Sequence, residues 1–280
     1  MLRALASVCV VALLSAAVSA APSGHDSRTM TKAERGLFVP LACEHASYDA
    51  KSFGDHCSKL IGYPNAPGDV RDFGLTAIAY GSFTNAGADQ AYVSYYTMSE
   101  PHAYNFGGGI LFQRSGSAWK LVRWYPGAQM EECVAVPGEG LQRMLCLNGF
   151  LSEGELATTV SVRTVPLSND QNAISNAGNV LISLDDTRNM SSFLQSDGTK
   201  CGTLASDKSS VVAVDSLKPS AQPGFFAESQ ATYTTAQEWF AACKSRSWDK
   251  IKGRKITVRY ALKGSDVTFD SPVPIESASP

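Results

Sequence analysis

The sequence predicts a mainly β protein with short helices, built from antiparallel meander sheets in a blade-like or sandwich arrangement and cross-linked by disulfides. Three observations lead there. Segments rich in β-branched and aromatic residues recur along the chain, separated by Gly, Asn, Ser and Pro. Helical periodicity with a start signal occurs in only two short places. The first twenty residues have the layout of an export signal, and six cysteines follow them.

Arg3 supplies a positive start, Ala4 to Ala17 an apolar run, and Val18-Ser19-Ala20 the small residues a signal peptidase reads. Cleavage is expected between Ala20 and Ala21, with residues 1–20 as signal peptide. The run is too short to span a bilayer, and no later apolar run reaches the ~20 residues a spanning helix needs. A secreted or periplasmic protein, not embedded in the membrane, is therefore expected. Cys9 leaves with the peptide. Cys43, Cys57, Cys133, Cys146, Cys201 and Cys243 remain, an even number that reads as three disulfides in an exported chain. Net charge is only −2 and no basic cluster is present, which excludes nucleic acid as a partner.

Residues 21–30 are polar and mixed, and disorder is expected there. Thr31-Lys32-Ala33-Glu34 has capping-box spacing, so a short helix should follow, carrying Leu37, Phe38 and Leu41 inward. Cys43 and Cys57 bracket a second short helical or irregular piece. Strands are expected over Leu75–Phe83, Ala91–Thr97, Gly109–Arg114 and Ala118–Tyr125, with tight turns at Asn85–Asp89 and Ser115–Ser117. A hairpin should run around Pro137-Gly138-Glu139-Gly140, and Leu156–Val165 forms a further strand. Residues 21–165 are thus read as an N-terminal β-rich unit and residues 166–178 as a linker or long loop. Residues 179–270 form a C-terminal β-rich unit with strands near 180–184, 211–214, 255–262 and 267–269. Its one helix begins at a second capping box, Thr235-Ala236-Gln237-Glu238, with Ala236, Trp239, Phe240 and Cys243 on one face. Residues 271–280 read as a loose tail.

Six cysteines allow fifteen pairings. Proximity along the chain favours Cys43–Cys57, Cys133–Cys146 and Cys201–Cys243. Cys43-Glu44-His45 and His56-Cys57 also form a set that zinc could accept, but their spacing matches no zinc module and the compartment favours a disulfide. No metal or other cofactor is expected.

Glu100-Pro101-His102, followed by Gly107-Gly108-Gly109, has the make-up of an acid–base pair beside mobile backbone. The plainer account is a strand connection whose glycines permit close packing. No Gly-x-Ser-x-Gly nucleophile elbow accompanies it. Between Tyr92 and Tyr125 lie nine aromatic residues, on both faces of the expected strands. One face should be core. The other is a candidate platform for a sugar or peptide, and Tyr96 and Trp124 are possible ligand residues.

The stretch from Ala79 to Val93, with Gly81-Ser82-Phe83, a turn of small and polar residues, and Asp89 before the next strand, resembles one FG-GAP repeat of integrin-α-type β-propellers. The resemblance implies a β-sheet module used for binding or scaffolding. In that family the turn often holds calcium through several acidic side chains. Here Ser82, Thr84, Asn85 and Ala86 occupy the matching positions and only Asp89 is acidic, so the metal site is not carried over.

The function expected from these observations is a non-catalytic binding or scaffold protein of the envelope or extracellular space, with a protein or polysaccharide partner. The alternative is an exported hydrolase with its site near His102.

Overall fold

Thr31-Lys32-Ala33-Glu34 forms the capping box that its spacing predicts. In the computed structural model, Glu34 N donates to Thr31 Oγ1 (3.2 Å) and Thr31 N donates to Glu34 Oε2 (2.9 Å), starting α1 (Lys32–Ala42). The structure describes residues 25–48, 55–63, 70–97, 107–152, 155–165, 178–186, 213–245, 247, 252–273 and 275. The buried stripe of α1 is Phe38, Val39 and Ala42, whereas Leu37 is 46% exposed. Of the expected inward set, Phe38 is buried and Leu41 packs partly buried on the same core, so only Leu37 is corrected. Leu37 lies about 100° round the helix from Phe38, and only one stripe meets the sheet.

Two further expectations for the N-terminal region change. Residues 25–30 are not loose: β1 (Arg28–Thr29) pairs with Ala77 and Ile78 of β4 (Val70–Gly81). Tertiary pairing makes this strand. The neighbour on that side of β4, β3 (Asp55–Leu60), is in register only at Val70 and Phe73, so the rest of the edge is open to another strand. The bracketed Cys43–Cys57 piece is not helical either. β2 (Cys43–Tyr48) and β3 form an antiparallel hairpin clipped by the Cys43–Cys57 disulfide, with Cα atoms 5.6 Å apart. Its strands are short and polar, with no alternation to read.

The expected meander follows as β4, β5 (Gln90–Tyr96), β6 (Gly107–Ser115) and β7 (Ala118–Pro126), giving a first sheet of order β2-β3-β4-β5-β6-β7 with β1 beside β4. The hairpin β8 (Glu132–Val136) and β9 (Arg143–Ser152), then β10 (Glu155–Arg163) and β11 (Gly178–Asp186), make a second sheet, β11-β10-β9-β8. β12 (Ala213–Pro219), β13 (Ala227–Tyr233), β14 (Arg254–Lys263) and β15 (Asp266–Asp270) make a third. All pairings are antiparallel. Between β13 and β14 lies α2 (Ala236–Ser245), opened by its predicted capping box, with Phe240 turned outward at 38% exposure. Residues 166–178 join two neighbouring strands, since Arg163 pairs with Gly178 at the start of β11.

The sheets stack through three cores. One face of the first sheet packs on α1 through Phe38, Ile78, Val93, Ile110, Phe112 and Trp124. Its other face, with Ala79, Tyr92, Leu111 and Tyr125, meets Cys133, Met144 and Cys146 of the second sheet. The alternate residues Val134, Val136, Leu145 and Val160 face the third sheet, meeting Val214, Ala231, Ile256, Val258 and Tyr260. Period-2 alternation thus places the second sheet between two cores. Cys133 and Cys146 are directly opposed in register, with Cα atoms 4.1 Å apart, and form the second disulfide. Of the proposed Cys201–Cys243 pair, Cys201 lies outside the described residues. The tail is held further than expected: Val273 is buried and Ile275 packs on the third core.

Candidate functional site

The sequence candidates separate in space. Glu100 and His102 lie outside the described residues. Trp124 is 4% exposed, donates from Nε1 to the Ile61 carbonyl (2.8 Å), and packs edge-on to Tyr63 and Tyr95. Tyr96 is half-buried, with its ring over Gly74, where a Cβ would collide with it. Cys43 and Cys57 are joined to each other, so their sulfurs serve the hairpin rather than a zinc ion.

The aromatic band divides between the two faces of the first sheet. Tyr95, Phe112 and Trp124 belong to the core under α1, and Tyr92 and Tyr125 to the seam between the first and second sheets. The glycine run Gly107-Gly108-Gly109 is explained by close approach. A Cβ on Gly107 would strike the Tyr95 carbonyl, one on Gly108 the Tyr125 carbonyl, and one on Gly109 the ring and hydroxyl of Tyr92.

The most heavily hydrogen-bonded carboxylate in this part of the fold is Glu34. It accepts from Arg28 Nη1 (2.9 Å) and Nη2 (2.6 Å), Thr31 N (2.9 Å), Thr31 Oγ1 (2.8 Å) and Tyr80 Oη (2.9 Å). The Arg28 guanidinium, first, and the Thr31 and Tyr80 donors hold its carboxyl down at about 2, against the cost of desolvation. Burial, and then the bond to this carboxylate, push the Tyr80 hydroxyl well above the ordinary phenol value. Every member is engaged with another, and the cluster fastens the N-terminal segment and α1 to β4.

The turn from Ser82 to Asp89 is organised by buried Gln90. Its Oε1 accepts from Phe83 N (2.7 Å) and Thr84 N (2.9 Å), and its Nε2 donates to Thr84 Oγ1 (2.7 Å). Asp89 pairs with Arg114 (3.3 Å). Side chains within the chain thus hold this turn, and among the described residues no group of three His, Cys, Asp or Glu could hold a metal.

A second charged group lies in the seam between the first two sheets. Arg163, the last residue of β10, pairs in register with Met144 of β9, whose side chain is in the seam. Residues paired in an antiparallel ladder share a face, so Arg163 projects there too. Buried Ser161 and Val165, at i−2 and i+2, alternate onto that face. Arg163 is half-buried and interacts electrostatically with Tyr92. Tyr92 donates from Oη to the Ala128 carbonyl (2.6 Å), and its ring packs 5.9 Å from that of Tyr125. The Tyr125 hydroxyl bonds to Arg123 of β7. Burial raises both tyrosines above the ordinary phenol value and lowers Arg163.

Two arginines and two tyrosines thus face one another across the seam. A buried tyrosine stays neutral at physiological pH and an arginine stays charged, so the group presents fixed cationic and hydroxyl character rather than an acid–base pair poised near neutrality. Sequence reasoning missed it because Thr159-Val160-Ser161-Val162-Arg163 alternates polar and apolar residues, which reads as a solvent face and a core face. Here both faces are covered, and the arginine within the polar alternation is the one signal that could have marked it.

No protein-family model, curated protein or solved structure matches the chain.

Proposed function

We propose that the chain is exported and acts as a non-catalytic binding or scaffold protein of the cell envelope or extracellular space, engaging a polysaccharide or a protein. The observation that carries this reading is the Arg123–Tyr125–Tyr92–Arg163 group in the seam. It brings the fixed positive charge of two half-buried arginines to a stack of three sheets, two of which carry a hairpin clipped by a disulfide. The disulfides fit an oxidising compartment. The likeness of residues 79–93 to one FG-GAP repeat points the same way. The glycine run that kept a hydrolase near His102 in view has a packing cause, as above.

The experiment is a pair of assays on the secreted protein. Sedimentation with insoluble peptidoglycan, chitin and acidic polysaccharide should show saturable retention, and chromogenic esters and glycosides should not turn over. Turnover that disappears in His102→Ala would overturn the reading. N-terminal sequencing of the exported form should begin at Ala21.

A further inference from the structure

We propose that the chain assembles head to tail with further copies of itself, the edge strand β15 of one copy adding to the edge strand β7 of the next. The inference goes beyond the reading above and can fail without it.

The last strand of an open sheet carries a row of backbone groups with no strand beside them. β7 ends the first sheet and β15 ends the third. Hairpin register fixes which groups point outward. Ser115 pairs with Ala118 across a two-residue turn, and Lys263 pairs with Asp266 in the same way. Each is a hydrogen-bonded pair, so the residues that alternate with it turn their N–H and C=O away from the hairpin. They are Trp119 and Leu121 on β7, before the register shift that follows Leu121, and Val267 and Phe269 on β15. Among the described residues, none of the four makes a backbone hydrogen bond to a turn or loop. Positions 118–123 and 266–270 alternate between exposed and half-buried, and none is buried.

The side chains of the two edges match. Trp119 and Leu121 lie partly buried at the margin of the core under α1, and Val267 and Phe269 at the margin of the third core. Lys120 on β7, and Asp266, Thr268 and Asp270 on β15, alternate with them onto the opposite faces and are exposed. Laid antiparallel with their outward groups facing, Trp119 meets Phe269 and Leu121 meets Val267. Lys120 then stands opposite Thr268 and diagonal to both Asp266 and Asp270, a distance that a long side chain covers. These charges are not taken up within the hairpins. Gln113 lies opposite Lys120. Arg259 and Lys263 lie opposite Asp270 and Asp266 and form no ion pair with them, and Arg259 Nε is buried without a hydrogen-bond partner.

Like edges do not match. Two copies of β15 in the same arrangement set Asp266 against Asp270, and two copies of β7 set Lys120 against Lys120. Like charges directly opposite destabilise a sheet, so the unlike pairing is selected. A contact between unlike edges leaves one edge of each kind open on the pair, and growth continues past two copies. The contact is a few residues long and charged, so it is weak and sensitive to salt.

The test is sedimentation velocity on the secreted, disulfide-bonded protein from about 10 μM to about 1 mM. The average mass should climb past that of a dimer, and should climb less at about 0.5 M salt than at about 0.05 M. Lys120→Glu and the double variant Asp266→Lys/Asp270→Lys should each weaken self-association by roughly tenfold or more. Mixed in equal amounts, these two proteins should associate again, because each altered edge then meets the opposite charge. All three positions are exposed, so both variants should melt near the wild-type temperature.

Four results would overturn the assignment. They are a monomer up to about 1 mM, a plateau at the mass of a dimer, undiminished self-association by either variant alone, and a mixture of the two variants that stays monomeric. The second and third would mean a two-fold contact between like edges. Saturable retention on polysaccharide by a protein that stays monomeric would overturn the assembly and leave the binding reading standing. Head-to-tail assembly of a protein that turns over esters or glycosides would do the reverse.

Discussion

Glu34 concentrates at one residue what a capping position can do. Its carboxylate closes the N-terminus of α1, neutralises Arg28 and satisfies the Tyr80 hydroxyl. A carboxyl held below its ordinary value stabilises the fold above the unfolded value of about 4.5, and that contribution disappears as pH falls through the folded value of about 2. Glu34→Gln should therefore lower stability at pH 7 by about 1–2 kcal/mol, a figure reduced for the half-exposed Arg28 partner. Urea melts of the two proteins should converge as pH is lowered from 4.5 towards 2. A gap that stays constant across that window would show that the charge is not what stabilises. Gly109 is the second such position. Any side chain there enters the space of the buried Tyr92 ring, so Gly109→Ala should cost about 1–3 kcal/mol, read as a lower urea midpoint.

At the scale of the element, strands form where a partner edge is waiting. The N-terminal segment lies along two sheets at once. His25 N donates to the Tyr80 carbonyl (3.0 Å) and Met30 N to the Thr76 carbonyl (3.1 Å) on β4, while Ser27 N donates to the Cys133 carbonyl (2.9 Å) on β8. Ala135 N in turn donates to Asp26 Oδ1 (2.8 Å). The segment therefore covers part of the β8 edge and blunts it against unwanted pairing. The adjacent Cys133–Cys146 bridge spans 13 residues, and closing a loop of that length is worth about 3 kcal/mol in the chain-entropy view. The double variant Cys133→Ala/Cys146→Ala should lose about that amount in equilibrium urea unfolding, with far-UV circular dichroism unchanged.

Over the whole molecule, the second sheet sets the behaviour. It takes part in the seam core through Met144 and Cys146 and in the third core through Val134, Leu145 and Val160. If the second sheet melts, the third sheet loses its core and the first loses one of its two, and β11, after residues 166–177, is bound to β10 before them. Heating should therefore give one cooperative transition with a calorimetric to van't Hoff enthalpy ratio near one. Two resolved transitions would mean that the chain on either side of residues 166–178 folds independently.

Local chemistry accounts for what could be read in advance. The capping boxes at Thr31 and Thr235, the meander from β4 to β7, the Cys133–Cys146 hairpin and the short-range disulfides all depend on residues close in sequence, where spacing and side-chain type are sufficient. β13 escaped notice because Ala227-Glu228-Ser229-Gln230-Ala231 has no β-branched residue. Its small side chains suit a central strand only because Tyr260 and Ile256 of β14 lie beside it, paired with Ala227 and Ala231. β1 and the β2–β3 hairpin likewise needed the edge of β4. Which face of each strand is buried, and twice over in the second sheet, depends on sheets brought together from distant parts of the chain. The position of Arg163 in the seam follows from that stacking. The sequence by itself determined the meander strands, the caps and the clips; the tertiary structure decided β1, the β2–β3 hairpin, β13 and the buried faces, because pairing and burial depend on what lies beside and across from a residue.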